Sequence, residues 1–222
     1  MTETIFNSDV QLKTIVSDEL SYITGIGADR LFVTANDGVV TISGDTASLP
    51  ERYAAKQAAM RVFGAKAITD AMVVRIPDAH EVKDADLADM ASRMLDWAVD
   101  VPAGAVKASA HDHVITLSGT VARQDQRDAA ARTVMYLRGV TGITNTISLN
   151  APAPASDAKA TIEAALRRSA QFDSHTITVH VTGAEVTLRG NVRSWNERRQ
   201  AERIAWAAAG VNHVKNELAF TS

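Results

Sequence analysis

The chain has 222 residues, no cysteine, and 23 basic against 26 acidic side chains, for a formal net charge of -3. Disulfide staples and thiolate metal sites are therefore excluded, and so mild a charge names no polyanionic partner. The longest apolar run, residues 204–211, is far short of a membrane span, and the opening Met1-Thr2-Glu3-Thr4 has neither the basic start nor the apolar stretch of a signal peptide.

From the N-terminus, Val10, Leu12, Ile15, Val16, Leu20 and Ile23 recur at spacings of three and four, which predicts a helix with one apolar face and Asp9 at its N-cap. Leu31-x-Val33 alternates as a strand, Asp37-Gly38 marks a tight hairpin, and Val39-Val40-Thr41-Ile42-Ser43-Gly44 is the returning strand. Ser48-x-x-Glu51 is a capping box for a second helix. That helix has a small buried face (Ala55, Ala58, Ala59, Val62) and stops at Gly64. Ile68-x-Asp70-x-Met72-x-Val74 closes the unit as a third strand.

The same order is then written twice more. Val114-Ile115-Thr116-Leu117-Ser118-Gly119 and Glu185-Val186-Thr187-Leu188-Arg189-Gly190 repeat the second strand, with the closing glycines 75 and 71 residues apart. Arg52, Arg127 and Arg198 recur near the start of the second helix, Gly64, Gly139 and Gly210 near its end, and Asp70, Asn145 and Asn216 in the last strand. In the second copy Asp84 takes the first-helix N-cap, Arg123-x-x-Gln126 replaces the capping box, and residues 143–149 form the closing strand. In the third, Ser156 or Asp157 caps a helix with Ile162, Ala165, Leu166 and Ala170 on its face. The expected organisation is three domains, 1–78, 79–150 and 151–222, joined by short linkers at 77–83 and 151–156, the latter stiffened by prolines. Each is an α+β unit of order α-β-β-α-β, a three-stranded mixed sheet with two helices on one face. The opposite face is either wet or covered by another copy.

The pattern apolar-x-V-x-x-G-x-V-T-L-x-G, then the arginine, an alanine-rich helix and G-V-x-x-V-x-N-x-L, resembles the BON domain. The third copy carries it most fully, through Glu185–Gly190, Arg198 and Gly210-Val211-Asn212-His213-Val214-Lys215-Asn216-Glu217-Leu218. The first departs from it at Ala65 and Asp70. The resemblance covers nearly the whole chain. It implies the α-β-β-α-β fold, binding to phospholipid surfaces, and roles in envelope maintenance and osmotic stress. It implies no catalytic residue and no cofactor, so no enzyme activity is expected.

Features shared by all copies are scaffold candidates; features of one copy are functional candidates. The shared Arg52, Arg127 and Arg198 read either as a phosphate contact in each unit or as a stem packed on the sheet edge with its head paired. Basic excess is confined to the third unit, where the net charge is +2 against -3 and -2 for the first two. There Arg193, Trp195, Arg198, Arg199 and Arg203 cluster at the start of the second helix. A tryptophan among arginines suits an anionic phospholipid headgroup layer, the alternative being a solvated face tied to Glu197 and Glu202. Nucleic acid is not expected.

In the second unit Met90, Met94 and Trp97 widen the stripe of Leu87, Ala91 and Leu95 beyond what one sheet needs. Asp84, Asp86, Asp89 and Asp96 surround them with only Arg93 opposing, which argues against anionic lipid here and for an inter-domain or subunit interface, the alternative being an ordinary broad core stripe. His111-x-His113 brings no further ligands, so no metal is expected. The expected function is a non-enzymatic membrane-surface or anionic-phospholipid binding module; a chaperone-like or structural protein-protein module is the alternative. As written the chain is expected in the cytoplasm, or in the periplasm if its true start lies upstream.

Overall fold

The computed structural model describes residues 9–75, 82–150, 158–169 and 177–220. Most of both expected linkers, the cap expected at Ser156 or Asp157, and Ala170 lie outside these residues.

The first unit runs α1 (Asp9–Tyr22), β1 (Leu31–Asn36), β2 (Val39–Thr46), α2 (Leu49–Arg61) and β3 (Ala67–Val74). The second runs α3 (Asp84–Trp97), β4 (Val106–His111), β5 (Val114–Val121), α4 (Gln124–Met135), β6 (Gly142–Asn145) and β7 (Ser148–Leu149). The third runs α5 (Ala158–Arg168), β8 (Ile177–Thr182), β9 (Glu185–Val192), α6 (Trp195–Trp206) and β10 (His213–Phe220). In every unit the repeated strand is central, with its hairpin partner antiparallel on one side and the closing strand parallel on the other. This is the expected α+β unit, three times over.

Alternation along the strands sends one set of side chains under the helices and leaves the other in solvent. Val40 and Ile42, Ile115 and Leu117, and Val186 and Leu188 are fully buried. Each unit has its own core: Val16, Leu20, Val40 and Ala58 in the first, Leu87, Ile115, Leu117 and Val134 in the second, Ile162, Val179, Leu188 and Ala205 in the third. The alanines of the second helices are what let each helix lie close to its sheet. On the far sheet face Phe32 and Val73 are exposed, so that face of the first unit is wet.

The repeated glycine has a steric reason. Gly44, Gly119 and Gly190 sit at φ 113°, 134° and 129°. A Cβ on Gly44 would lie 2.1 Å from the Arg30 carbonyl oxygen, and one on Gly119 2.1 Å from that of Ala105.

Two expectations need correction. Asp84 is not an N-cap: Lys83 holds that position, and the Asp84 carboxylate reaches across the unit to accept the amides of Asp112 and His113 at 2.8 and 3.0 Å. Asp9 does the same for Asp37 and Gly38 at 2.9 and 3.0 Å. Both hairpins turn through two residues at positive φ (Asp37 and Gly38, Asp112 and His113), which stacks their amides toward one carboxylate. The hydrogen bonds hold the Asp84 carboxyl below its ordinary value. The closing strand of the second unit is also broken, at Thr146 and Ile147. There the Thr146 amide and hydroxyl both donate to the Leu117 carbonyl, at 2.8 and 2.7 Å, and replace the regular ladder.

The units meet through their second helices. Arg199 of α6 donates to the Gln57 side-chain oxygen on α2 and lies 3.5 Å from Met60 Sδ. Leu49, at the start of α2, packs against the core of the second unit.

Candidate functional site

The arginine shared by all units fastens the second helix to the closing strand. Arg127 and Arg198 donate to the carbonyls of Asn145 and Asn216 at 3.3 and 3.0 Å, and those asparagines return a hydrogen bond to the arginine carbonyls. In the first unit aspartate replaces asparagine and the contact becomes an ion pair, Arg52 Nε to Asp70 at 3.1 and 3.2 Å. Arg198 is further held over the rings of Trp195 and Phe220, 5.4 and 5.8 Å from their centroids. Trp195 stacks on Phe220 at 6.1 Å and its Nε1 is buried without a hydrogen-bond partner among the described residues. Of the third-unit cluster, Arg193 and Arg203 are exposed and Arg199 bridges to the first unit. The five residues run from just before α6 to its last turn, and they face three environments: solvent, the sheet edge and the neighbouring unit.

In the second unit Leu87, Ala91 and Leu95 fill the core while Met90 and Met94 are each just over a third exposed and Trp97 is 89% exposed. Val99 (99%) and Tyr136 (70%) lie open with them. A shallow hollow of about 760 Å³ is lined by Arg93, Met94, Trp97, Val99, Asp100, Arg132 and Tyr136. Val99, Tyr136 and Arg132 were missed in the sequence, because they come from the loop after α3 and from α4, and only folding places them beside Trp97.

A second hollow, of similar volume, was not anticipated. About 740 Å³ in volume, it lies between the three second helices and is lined by Tyr53 and Gln57, by Gln124, Asp128, Arg132 and Met135, and by Arg199, Glu202, Arg203 and Trp206, among others. The two repeat spacings make Tyr53, Asp128 and Arg199 equivalent, likewise Gln57, Arg132 and Arg203, and likewise Met60, Met135 and Trp206. Eight of these nine residues line the cleft; Met60 instead touches Arg199. A second stripe at spacings of three and four on α2, α4 and α6, pointing away from the alanine face, is the signal that would have found it.

Asp128 Oδ1 accepts from Gln124 Nε2 at 2.9 Å, and Gln124 Oε1 is buried without a partner among the described residues. Although Asp128 still meets solvent, loss of hydration against the cleft wall raises its carboxyl above the ordinary value, opposed by Gln124 and by the charges of Arg132 and Arg127. Glu202 Oε2 accepts from Asn216 Nδ2 at 3.1 Å.

Among the described residues no group of three or more His, Asp or Glu side chains is arranged to hold a metal ion. His111 pairs with the adjacent Asp112 at 3.2 Å in full solvent, and His113 serves the hairpin turn.

The BON domain family model matches this chain three times, over residues 8–76, 83–151 and 154–222. Osmotically-inducible protein Y of Escherichia coli (strain K12) is 33% identical over 113 residues, a match covering 47% of this chain and 56% of that protein. The chain thus spans little more than half the length of this curated relative. Among solved structures, the C-terminal domain of CdsD, the structural protein of the type III secretion system of Chlamydia trachomatis, aligns over 97% of this chain and 100% of its own at 12% identity, with a TM-score of 0.25. The periplasmic domain of PrgH aligns over 87% and 96% at 12% identity, with a TM-score of 0.23. The three in-register family matches account for nearly every residue, and the chain belongs to the BON domain family.

Proposed function

We propose that this protein is a non-enzymatic docking module that seats on anionic phospholipid surfaces in a stress-related envelope role. One observation carries the reading: Trp97, Val99 and Tyr136 remain open to solvent although the three units are packed together, and Arg93 and Arg132 flank them. Aromatic and aliphatic side chains beside guanidiniums suit the boundary between headgroups and acyl chains, where rings bury their apolar edge and cations meet phosphate. From the sequence, Asp84, Asp86, Asp89 and Asp96 spoke against anionic lipid here. Arg132, brought in by α4, changes that balance, for the hollow itself holds two arginines against Asp100 alone. Exposed Arg193 and Arg203 on the third unit add attraction without burial. The name of the Escherichia coli relative supports the stress context. No described helix is long and apolar enough to cross a membrane, and contact through this patch is peripheral.

The test is co-sedimentation with phosphatidylglycerol vesicles against phosphatidylcholine vesicles at low and physiological salt. Pelleting with the anionic lipid alone is expected, with loss in a Trp97→Ser, Val99→Ser, Tyr136→Ser variant. If Arg193→Glu with Arg203→Glu abolishes pelleting while the unit-two variant does not, the contact lies on the third unit. No pelleting at low salt removes the lipid reading. In that case suppression of a client protein's aggregation, lost in the same unit-two variant, would move the patch to protein docking.

A further inference from the structure

The cleft between α2, α4 and α6 has features that a seam built only to join units would lack. Seams of that kind bury their charges as pairs. Here Arg132 and Arg203, at equivalent repeat positions, both line the hollow and stay exposed, and neither side chain makes a hydrogen bond or a close ion pair among the described residues. Gln124 Oε1, on the same wall, is buried with no donor. Asp128 and Glu202 each engage one carboxylate oxygen, with Gln124 and Asn216, and keep the other unbonded among the described residues. Tyr53 and Trp206 supply ring surface from α2 and α6. The volume of about 740 Å³ lies in the range of small-molecule sites.

We infer that this cleft is a binding site for a small phosphorylated ligand, with Arg132 and Arg203 on the phosphoryl oxygens, the Tyr53 and Trp206 rings against its organic body, and Gln124 Oε1 accepting from an N–H or O–H donor on that body. Arginine is the residue suited to this, because its planar fork matches the oxygens of phosphate two at a time. The unbonded oxygens of Asp128 and Glu202 favour a body rich in donors, such as an amino-bearing ring or a polyol. The same chemistry has two sources, a soluble organic phosphate or the headgroup of a phospholipid. Arg132 borders both hollows, but the two readings differ in their walls: the cleft is built from all three units, whereas Trp97, Val99 and Tyr136 belong to the second and do not line it.

Isothermal titration of the full chain with adenosine monophosphate, glycerophosphoglycerol, inorganic phosphate and unphosphorylated adenosine tests it. Saturable binding of at least one organic phosphate is expected, tighter than inorganic phosphate, with adenosine inert. Preference for the nucleotide identifies a soluble ligand, and preference for glycerophosphoglycerol identifies a headgroup. Arg203→Glu should weaken binding roughly tenfold or more, as loss of a charge-assisted contact does, and Gln124→Leu should weaken it less. Arg138→Glu, an exposed arginine outside the cleft, should change nothing. If Arg203→Glu melts early, ligand protection of the wild-type chain in hydrogen exchange decides: slowed exchange in peptides spanning 124–135 and 199–206 supports the site, and protection elsewhere overturns it. Failure of every phosphate to bind overturns it, as does undiminished binding in a folded Arg203→Glu chain. The Trp97→Ser, Val99→Ser, Tyr136→Ser variant leaves the cleft lining intact, so its effect on vesicle binding is read separately from either result.

Discussion

Replacing Gly119 by alanine should cost the second unit much of its stability, and the amount follows from two terms. Gly119 sits at φ 134°, where an L side chain is strained, at about 1–2 kcal/mol. The new Cβ would also stand 2.1 Å from the Ala105 carbonyl oxygen. That atom is backbone and cannot swing aside, so β4 must lift from β5 near the Val106–Gly119 pair, adding about 1–3 kcal/mol of distortion. The sum, about 3 kcal/mol, compares with about 3–10 kcal/mol for a domain of this size. Urea unfolding by circular dichroism, with hydrogen exchange on peptides spanning 106–121, should show an earlier transition confined to the second unit with its slope unchanged. The first and third units hold their own cores and should stay protected. A loss below about 1 kcal/mol would refute the argument, since the contact would then be relieved by a shift the packed strands do not allow.

Three other outcomes follow from the contacts. The folded-state pKa of Asp84 is lowered, so its contribution is complete above the ordinary value of 3.8 and disappears as pH falls through the folded value; exchange of the Asp112 and His113 amides, corrected for the intrinsic rate, should accelerate only in that acid window, and Asp84→Asn should show the fast rate at neutral pH. Arg199→Ala should leave the helix content intact while raising the radius of gyration in solution scattering and speeding exchange in α2, because the Gln57 and Met60 contacts join separate units. Asp70→Asn should cost under about 1 kcal/mol, since Asn145 and Asn216 fill the same position and the bond to the Met72 amide survives, whereas Asp70→Ala, which also strands Arg52, should cost about 2 kcal/mol by thermal denaturation.

The triplicated α-β-β-α-β unit was legible because its signals are local. Glycine and aspartate set the turns, spacing of two or of three and four set the elements, and three copies averaged out local noise. Asp84 was misread for the opposite reason. At the start of a helix an aspartate ordinarily caps its own helix, and the use found here depends on a hairpin 28 residues away. Thr146 breaks its strand through a hydroxyl bond to Leu117 that no alternation pattern records. The Glu51 amide donates to Ser48 Oγ as the expected capping box requires, but the buried carboxylate accepts from the Ala47 amide in place of that of Ser48, and also from the Gly27 amide at 2.8 Å and from Arg30 at 2.9 Å. The third-unit arginines were legible as a cluster but not as separate surfaces, because a helix start beside a sheet edge sends neighbouring side chains to different faces. Arg132 drew no attention in an acidic unit, yet it borders both hollows.

Comparing the copies separates architecture from specificity in physical terms. The positions that recur unchanged or nearly so (Gly44, Gly119 and Gly190; Arg52, Arg127 and Arg198; Asp9 and Asp84) all act within a unit, on its own strands and turns. The positions that meet across units have diverged: tyrosine, aspartate and arginine at one, glutamine, arginine and arginine at the next, methionine, methionine and tryptophan at the third. If those faces served only to glue units together, small apolar side chains would do so at least as well as guanidiniums and carboxylates, yet Asp128, Arg132 and Arg203 line the hollow and stay exposed. The diverged side chains leave an open hollow with two arginine side chains and an amide oxygen that have no hydrogen-bond partner among the described residues. A single BON unit presents only one wall of that hollow, so whatever the cleft recognises requires the array, and the tandem copies are best understood as the three sides of one site rather than as one site repeated.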